Sequence, residues 1–179
     1  MGTVVAIETD SGVAIAGDRR TTRGETVTGD STQRVFAIRD VGVGAIADTG
    51  AIDTFRRRFE SALRRARREQ AAGLTAEVVA RVAAGAAQRT GVEAVVASPD
   101  AHLRQVTPEG AALDEPRVAL GTGAELAFGR LDGLDDTAPL ETTTAALEDI
   151  IAAVAERDPA TGERVDTYSR ARTDTSQDG

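Results

Sequence analysis

The chain carries few side chains of the kinds that usually perform nucleophilic, acid–base or metal chemistry. It has no cysteine and one histidine, His102, which excludes disulfides, thiolate metal sites, histidine-based triads and centres built from several histidines. Two charged groups that could still do chemistry stand early in the chain, beside apolar stretches. Asp18 is followed by two arginines, and Arg34 comes directly before a short apolar stretch. No metal site or cofactor is expected.

Short apolar segments that are predicted to be strands surround these two charges. A turn at residues 10–12 separates the first pair, so that pair is predicted to form a hairpin. Asp18 follows the second strand, and Arg34 precedes the third. The four segments are residues 3–7, 13–17, 35–38 and 41–47.

This order of strands and charges resembles mature proteasome β-subunits and the related bacterial threonine protease, which are N-terminal-nucleophile hydrolases. Those proteins begin with threonine, carry an acid before an arginine or glycine pair, and place a lysine before an apolar strand. Aligned without gaps, Gly2 stands at the threonine position, Asp18 at the acid and Arg34 at the lysine. Because a lone buried charge is costly, we expect Asp18 and Arg34 to form an ion pair beneath the N-terminal strand.

The resemblance implies a mechanism that fails in this chain at its first step. In the family, the threonine hydroxyl attacks a carbonyl while the α-amine of the same residue takes the proton. Gly2 has no hydroxyl, and the planar guanidinium of Arg34 cannot act as the compact, proton-exchanging neighbour that a lysine provides. The sequence therefore predicts that threonine peptidase activity has been lost.

The resemblance implies roles for three further positions. Two of them have changed in ways that also oppose catalysis, and one keeps the residue type of the family. Asp48 stands where a glycine N–H serves the oxyanion, and a carboxylate there would oppose the developing negative charge. Ala124 stands where the family has a supporting serine, whereas Asp158 keeps the second supporting acid. Four of the six compared positions have changed, which favours a non-catalytic subunit, or pseudoenzyme.

An alternative based on Thr3 stays open. Gly2-Thr3 is also the dipeptide at which family precursors cleave themselves, so loss of Met1 and Gly2 would make Thr3 an N-terminal nucleophile with its own amine. Thr3 would then lie one residue too close to Asp18, and a shift of one residue turns a strand's side chains to the other face. The alternative is an active threonine peptidase that uses Thr3 and binds peptide substrates.

An arginine-rich amphipathic helix is predicted over residues 51–70. Its apolar residues recur at steps of three and four, and it carries seven arginines against three acids. The helix is either a solvated basic surface or a surface that contacts proteasome-type subunits or another copy of the chain; a free-standing binding module is the weaker hypothesis. Nucleic acid is not expected, because the remaining chain is acidic and no aromatic residues are interleaved. The interface candidates are Arg56, Arg57, Arg64, Arg65 and Arg68.

The remaining pattern predicts an α+β fold, a four-layer αββα sandwich of two stacked, mostly antiparallel sheets. A helix capped by Thr75 is expected to end near Arg89, before Gly91. The polar run 164–170 is either an exposed edge strand or not a strand. Further helices are predicted at 124–131 and 143–157, and further strands at 92–97, 102–106 and 118–120.

Composition sets the broader expectations. A length of 179 residues predicts one domain, taken as 1–170, with a disordered acidic tail at 171–179. No apolar run is long enough for a membrane helix and the start does not resemble a signal peptide, so a cytoplasmic protein is expected. All 21 basic residues are arginine and the net charge is −8, a balance that favours a halophilic archaeon, although a GC-rich genome would explain part of it.

Overall fold

The structure, a computed structural model, describes residues 1–173. Its first sheet is built on the predicted N-terminal hairpin, in which Val4 pairs with Gly17 and Thr9 with Gly12. All its neighbouring strands are antiparallel. The sheet has the order β10-β1-β2-β11, with β1 at Thr3–Thr9, β2 at Gly12–Asp18, β10 at Arg117–Gly121 and β11 at Val165–Ala171.

The second sheet is also antiparallel and follows the chain from β5 to β9. A separate two-stranded hairpin, β3 and β4, lies in the sequence between β2 of the first sheet and β5 of the second. The strands are β3 at Thr21–Arg23, β4 at Thr26–Gly29, β5 at Val35–Ile38, β6 at Val41–Ile46, β7 at Glu93–Ala97, β8 at Leu103–Val106 and β9 at Ala112–Leu113.

Two helices cover the outer face of each sheet. Helix α1, Thr49–Glu69, and helix α2, Ala76–Thr90, pack on the second sheet; α3, Ala124–Leu131, and α4, Leu140–Ala155, pack on the first. A third apolar cluster fills the space between the sheets. This arrangement confirms the predicted four-layer αββα sandwich.

Local signals explain where α2 begins and ends. The Thr75 hydroxyl accepts a hydrogen bond from the Val78 N–H, as expected of an N-cap residue. Gly91 ends the helix in the left-handed conformation at φ +69°, where glycine has no Cβ to clash. The predicted cap residues are therefore confirmed at both ends.

Some elements differ from the prediction, and one decides between alternatives that the sequence left open. Helix α4 starts at Leu140 rather than Thr143, because the Pro139 carbonyl accepts the Thr143 N–H at 3.0 Å and closes an earlier turn. The short β3–β4 hairpin was not predicted. The polar run near the C-terminus is a strand, β11, at the edge of the first sheet.

The predicted tail at 171–179 begins inside this edge strand. Ala171 is its last residue, and the Arg172 N–H donates to the Ser11 carbonyl at 2.9 Å. Residues 174–179 lie outside the described part of the chain. Within residues 1–173, no helix combines the length and apolar character needed to cross a membrane.

Candidate functional site

Asp18 is the centre of the site. It ends β2 and is fully buried. Its Oδ1 accepts the Thr3 N–H at 2.8 Å, and its Oδ2 accepts the N–H groups of Arg20 at 2.9 Å and Gly162 at 2.8 Å. The carboxylate thereby joins β1, β2 and the loop before β11, and these donors stabilise its negative charge.

Arg34 lies against this carboxylate, as predicted. Its Nη1 is 3.3 Å from Asp18 Oδ1, and the two side chains are 3% and 0% exposed. The guanidinium also donates to three backbone carbonyls: Asp18 at 3.0 Å, Arg20 at 2.6 Å and Met1. Burial lowers the pKa of Arg34 and the Asp18 charge opposes that change. The Arg34 side chain is thus fixed by carbonyls and a carboxylate, with no hydroxyl among its hydrogen-bond partners in residues 1–173.

Gly2 lies directly over this ion pair and has no room for a side chain. A Cβ there would overlap Asp18 Oδ1 and lie 2.6 Å from Cζ of Arg34. The backbone has φ +87°, a conformation that residues with a Cβ rarely adopt. The fold therefore brings Gly2, at the nucleophile position, next to Arg34, at the lysine position. Gly2 contributes only backbone atoms there.

The loop between β10 and α3 closes over the same end of β1. The Thr122 N–H donates to the Gly2 carbonyl at 3.0 Å, and the Gly123 N–H donates to the Thr3 hydroxyl at 3.1 Å. A Cβ at Gly121 would overlap the Gly2 carbonyl oxygen, and one at Gly123 would overlap the Thr3 hydroxyl. Glycine is required at 121 because two backbones meet there, and at 123 because the Thr3 side chain packs directly against the backbone.

Thr3 points away from the ion pair. Its buried hydroxyl is 2.7 Å from the Thr161 hydroxyl, which in turn is 2.6 Å from Asp158 Oδ2. An ionised carboxylate only accepts, so Thr161 uses its single proton on Asp158 and Thr3 must donate to Thr161. The Thr3 hydroxyl is therefore one link of a hydrogen-bonded chain that ends at Asp158.

Asp158 also gathers hydrogen bonds from neighbouring groups. It accepts the Thr122 hydroxyl at 2.6 Å and the Ala160 N–H at 3.0 Å. Burial alone would raise its pKa, but the hydrogen bonds from Thr122, Thr161 and Ala160, together with the positive N-terminus, hold the pKa below its usual value. Asp158 is thus an ionised anchor for the loops around the site.

The two remaining predicted positions lie at the margin of the site. Ala124 is the first residue of α3, next to the Gly123 N–H that reaches Thr3. Asp48 is the N-cap residue of α1; its side chain makes no capping hydrogen bond, and the residue is exposed. Within residues 1–173, no hydrogen bond or ion pair joins the Asp48 carboxylate to Asp18, Arg34 or Thr3.

The interface candidates on α1 do not all face solvent. Arg56 is half-buried, with its guanidinium carbon 4.8 Å from the centre of the Phe36 ring. Arg64 is exposed and pairs with Glu60 at 3.2 Å. The other three, Arg57, Arg65 and Arg68, are exposed.

Sequence reasoning missed Thr122 and Thr161 as members of the site. Thr161 stands three residues after Asp158, a spacing that allows a local side-chain hydrogen bond, and this was the available signal. His102, the single histidine of the chain, is half-buried and its Nδ1 lies 2.8 Å from Glu8 Oε1. Within residues 1–173, no group of three potential metal ligands occurs.

Comparison with known proteins agrees with the fold described above. The Proteasome subunit family profile matches residues 1–169. The chain is also similar to a protein named proteasome subunit beta from Methanopyrus kandleri. The two are 29% identical over 188 residues, and the match covers 95% of this chain and 87% of that protein.

Proposed function

Since this chain belongs to the proteasome subunit family, we propose that it is a β-type subunit without threonine peptidase activity that serves as a structural or regulatory component of a ring or other oligomer. The observation that carries the proposal is the geometry at Gly2. The volume where a nucleophilic side chain would begin is occupied by Asp18 and Arg34.

The surroundings of Gly2 support the same conclusion. Arg34 is held by carbonyl oxygens and by Asp18, and within residues 1–173 none of its hydrogen bonds goes to a hydroxyl group. A guanidinium stays protonated at any ordinary pH, so it cannot exchange a proton during a reaction. Loss of one oxyanion donor alone typically lowers the rate about 100- to 1,000-fold, and loss of the nucleophile lowers it further.

The alternative nucleophile, Thr3, is poorly placed. Cleavage after Gly2 would create an α-amine at the Thr3 nitrogen, which lies 2.8 Å from Asp18 Oδ1. A carboxylate at that distance favours the protonated amine, whereas the mechanism needs a neutral amine that accepts a proton. The Thr3 hydroxyl is already engaged with Thr161 and Gly123.

The test combines the mature N-terminus with a covalent probe. Intact mass should show a chain that begins at Met1 or Gly2, and fluorogenic peptides should give no turnover above the buffer blank. An epoxyketone directed at N-terminal threonine should add no mass. An active threonine peptidase assayed in parallel checks the reagents.

The opposite result is equally clear. A chain that begins at Thr3, peptide turnover blocked by the epoxyketone, and an adduct mapped to Thr3 would establish the alternative. The Thr3→Val variant is the matched control, because turnover that survives it comes from a contaminating peptidase rather than from this chain.

A further inference from the structure

Within residues 1–173, strand β11 ends the first sheet on one side and forms an unusually long edge. It has seven residues, contains no proline, and pairs with β2 in continuous register from Val165 to Ala171. The other outer strands of the two sheets are shorter: β10 has five residues, β5 has four and β9 has two. Folded proteins usually shorten or interrupt an edge strand, because its unpaired backbone groups can pair with another chain. The unbroken edge of β11 is therefore a candidate binding surface.

The hydrogen bonds at the two ends of β11 show which of its backbone groups face outward. The Arg19 N–H donates to the Arg164 carbonyl at 3.0 Å, and the Arg172 N–H donates to the Ser11 carbonyl at 2.9 Å. The backbone groups of successive residues alternate in direction along an antiparallel strand, so the even-numbered residues face β2. The odd-numbered residues of 165–171 point their N–H and C=O groups away from the sheet. In the described part of the chain these groups have no hydrogen-bond partner.

A groove lies beside this edge on the α4 side. Its volume is about 500 Å³, and Ser169 lines it together with residues of α4. Two of the α4 residues, Glu141 and Glu148, are exposed carboxylates that have no ion-pair partner among residues 1–173. Alternate residues of a strand share one face, so Thr167 and Ala171 lie on the same side as Ser169, and all three are exposed. The groove therefore combines negative charge with small, uncharged side chains that leave the edge accessible.

We infer that β11 is the docking strand for an extended segment of a partner protein that carries arginine or lysine at alternate positions. The segment would add a fifth strand to the first sheet and pair with the outward N–H and C=O groups of β11. Every second side chain of the segment would lie over the α4 groove, where Glu141 and Glu148 favour positive charge.

The charges of the groove select this occupant over a second copy of the chain. Pairing of two β11 strands would place the α4 carboxylates of both copies beside one another, and like charges at a contact oppose association. A basic segment meets no such repulsion. The inference goes beyond the proposed function, and it does not depend on the loss of catalysis.

The probe is a fluorescein-labelled peptide of about eight residues, long enough to span β11, in which threonine and arginine alternate. Fluorescence polarisation with the full chain should show saturable binding. A peptide with glutamate in place of arginine should not bind. The arginine peptide with methylated backbone nitrogens keeps its charge but cannot donate to β11, and it should bind about tenfold or more weakly.

Two variants of the protein test the edge and the groove separately. Ser169→Pro removes one outward N–H without touching the bonds to β2, so it should weaken binding about tenfold. Ser169→Ala keeps that N–H and should bind like the wild type. Glu141→Gln/Glu148→Gln should also weaken binding of the arginine peptide, whereas Glu109→Gln/Glu125→Gln removes the same charge from exposed positions outside the groove and should not. Circular dichroism must show that every variant is folded.

Several results would overturn the inference. Equal binding of the methylated peptide would mean that charge attracts the peptide without strand pairing. No binding of the arginine peptide, or a folded Ser169→Pro variant with unchanged affinity, would also refute it. A wild type that dimerises in sedimentation velocity, with a monomeric Ser169→Pro variant, would show that the occupant is a second copy instead. The peptidase assay is separate, so failure of this contact would leave the proposed loss of catalysis intact.

Discussion

Asp18 and Arg34 form a buried ion pair whose charged ends are 3.3 Å apart, and the backbone of Gly2 lies directly over it. The pair joins the end of β2 to the start of β5, so it connects the two stacked sheets. A carboxylate and a guanidinium that are both almost fully buried stabilise the fold only as a pair, because either one alone would be an uncompensated charge.

Removing one partner of this pair should therefore destabilise the protein strongly. We predict that Arg34→Met or Asp18→Asn lowers the free energy of unfolding by about 3–5 kcal/mol, measured by urea denaturation. The control is Arg64→Ala, which breaks an exposed pair with Glu60 and should change the free energy by less than about 0.5 kcal/mol. Similar effects at both pairs would contradict the prediction.

The lack of space at Gly2 gives a second prediction. Gly2→Ala places a Cβ against Asp18 and Arg34 at a positive φ, and we expect it to lower the free energy of unfolding by about 2–5 kcal/mol. Gly50→Ala is the matched control, since that position in α1 has open space around it. Its effect should stay within about 0.5 kcal/mol. Equal stability of Gly2→Ala and the wild type would show that the site can accept a side chain there.

The Thr3 hydroxyl should matter for stability rather than catalysis. Thr3→Val leaves the buried Gly123 N–H without its acceptor, so we expect a loss of about 1–3 kcal/mol in the free energy of unfolding. Thr3→Ser keeps the hydroxyl and should recover much of that loss. Thermal unfolding of the three proteins measures this difference, and a stable Thr3→Val variant would remove the structural role of the hydroxyl.

Asp158 should make stability depend on pH in acid. Its folded pKa lies below the unfolded value of about 3.9, so its stabilising contribution is fully present above that value and is lost as pH falls through the folded pKa. Asp40, held by Arg67, shifts in the same direction. The informative quantity is therefore the difference between the wild type and Asp158→Asn.

We expect this difference in unfolding free energy to be constant from pH 5 to 7 and to shrink below about pH 4. Urea denaturation at each pH measures it. A difference that is independent of pH down to pH 2.5 would mean that Asp158 has the same pKa in the folded and unfolded chains.

Short-range patterns in the sequence predict much of the fold. The apolar spacing of residues 52–66 predicts the buried side of α1, and Thr75 and Gly91 mark the ends of α2. These features follow from the period of the helix and from hydrogen bonds within a few residues, so the sequence alone determines them. The hairpin residues 21–29 were not predicted, because their exposed, polar strands carry little apolar alternation.

Some features of the site could likewise be predicted from the sequence, and others depend on the tertiary structure. Asp18 and Arg34 could be identified from the family resemblance that the sequence carries, and the same alignment places Gly2, which has no hydroxyl, at the nucleophile position. Only the tertiary structure decided that Thr3 turns to Thr161, a residue 158 positions away, and that Asp18 and Arg34 fill the volume where a side chain of residue 2 would begin. These contacts depend on how the two sheets and their loops stack, and that stacking is fixed by burial summed over the whole chain rather than by any local run of residues.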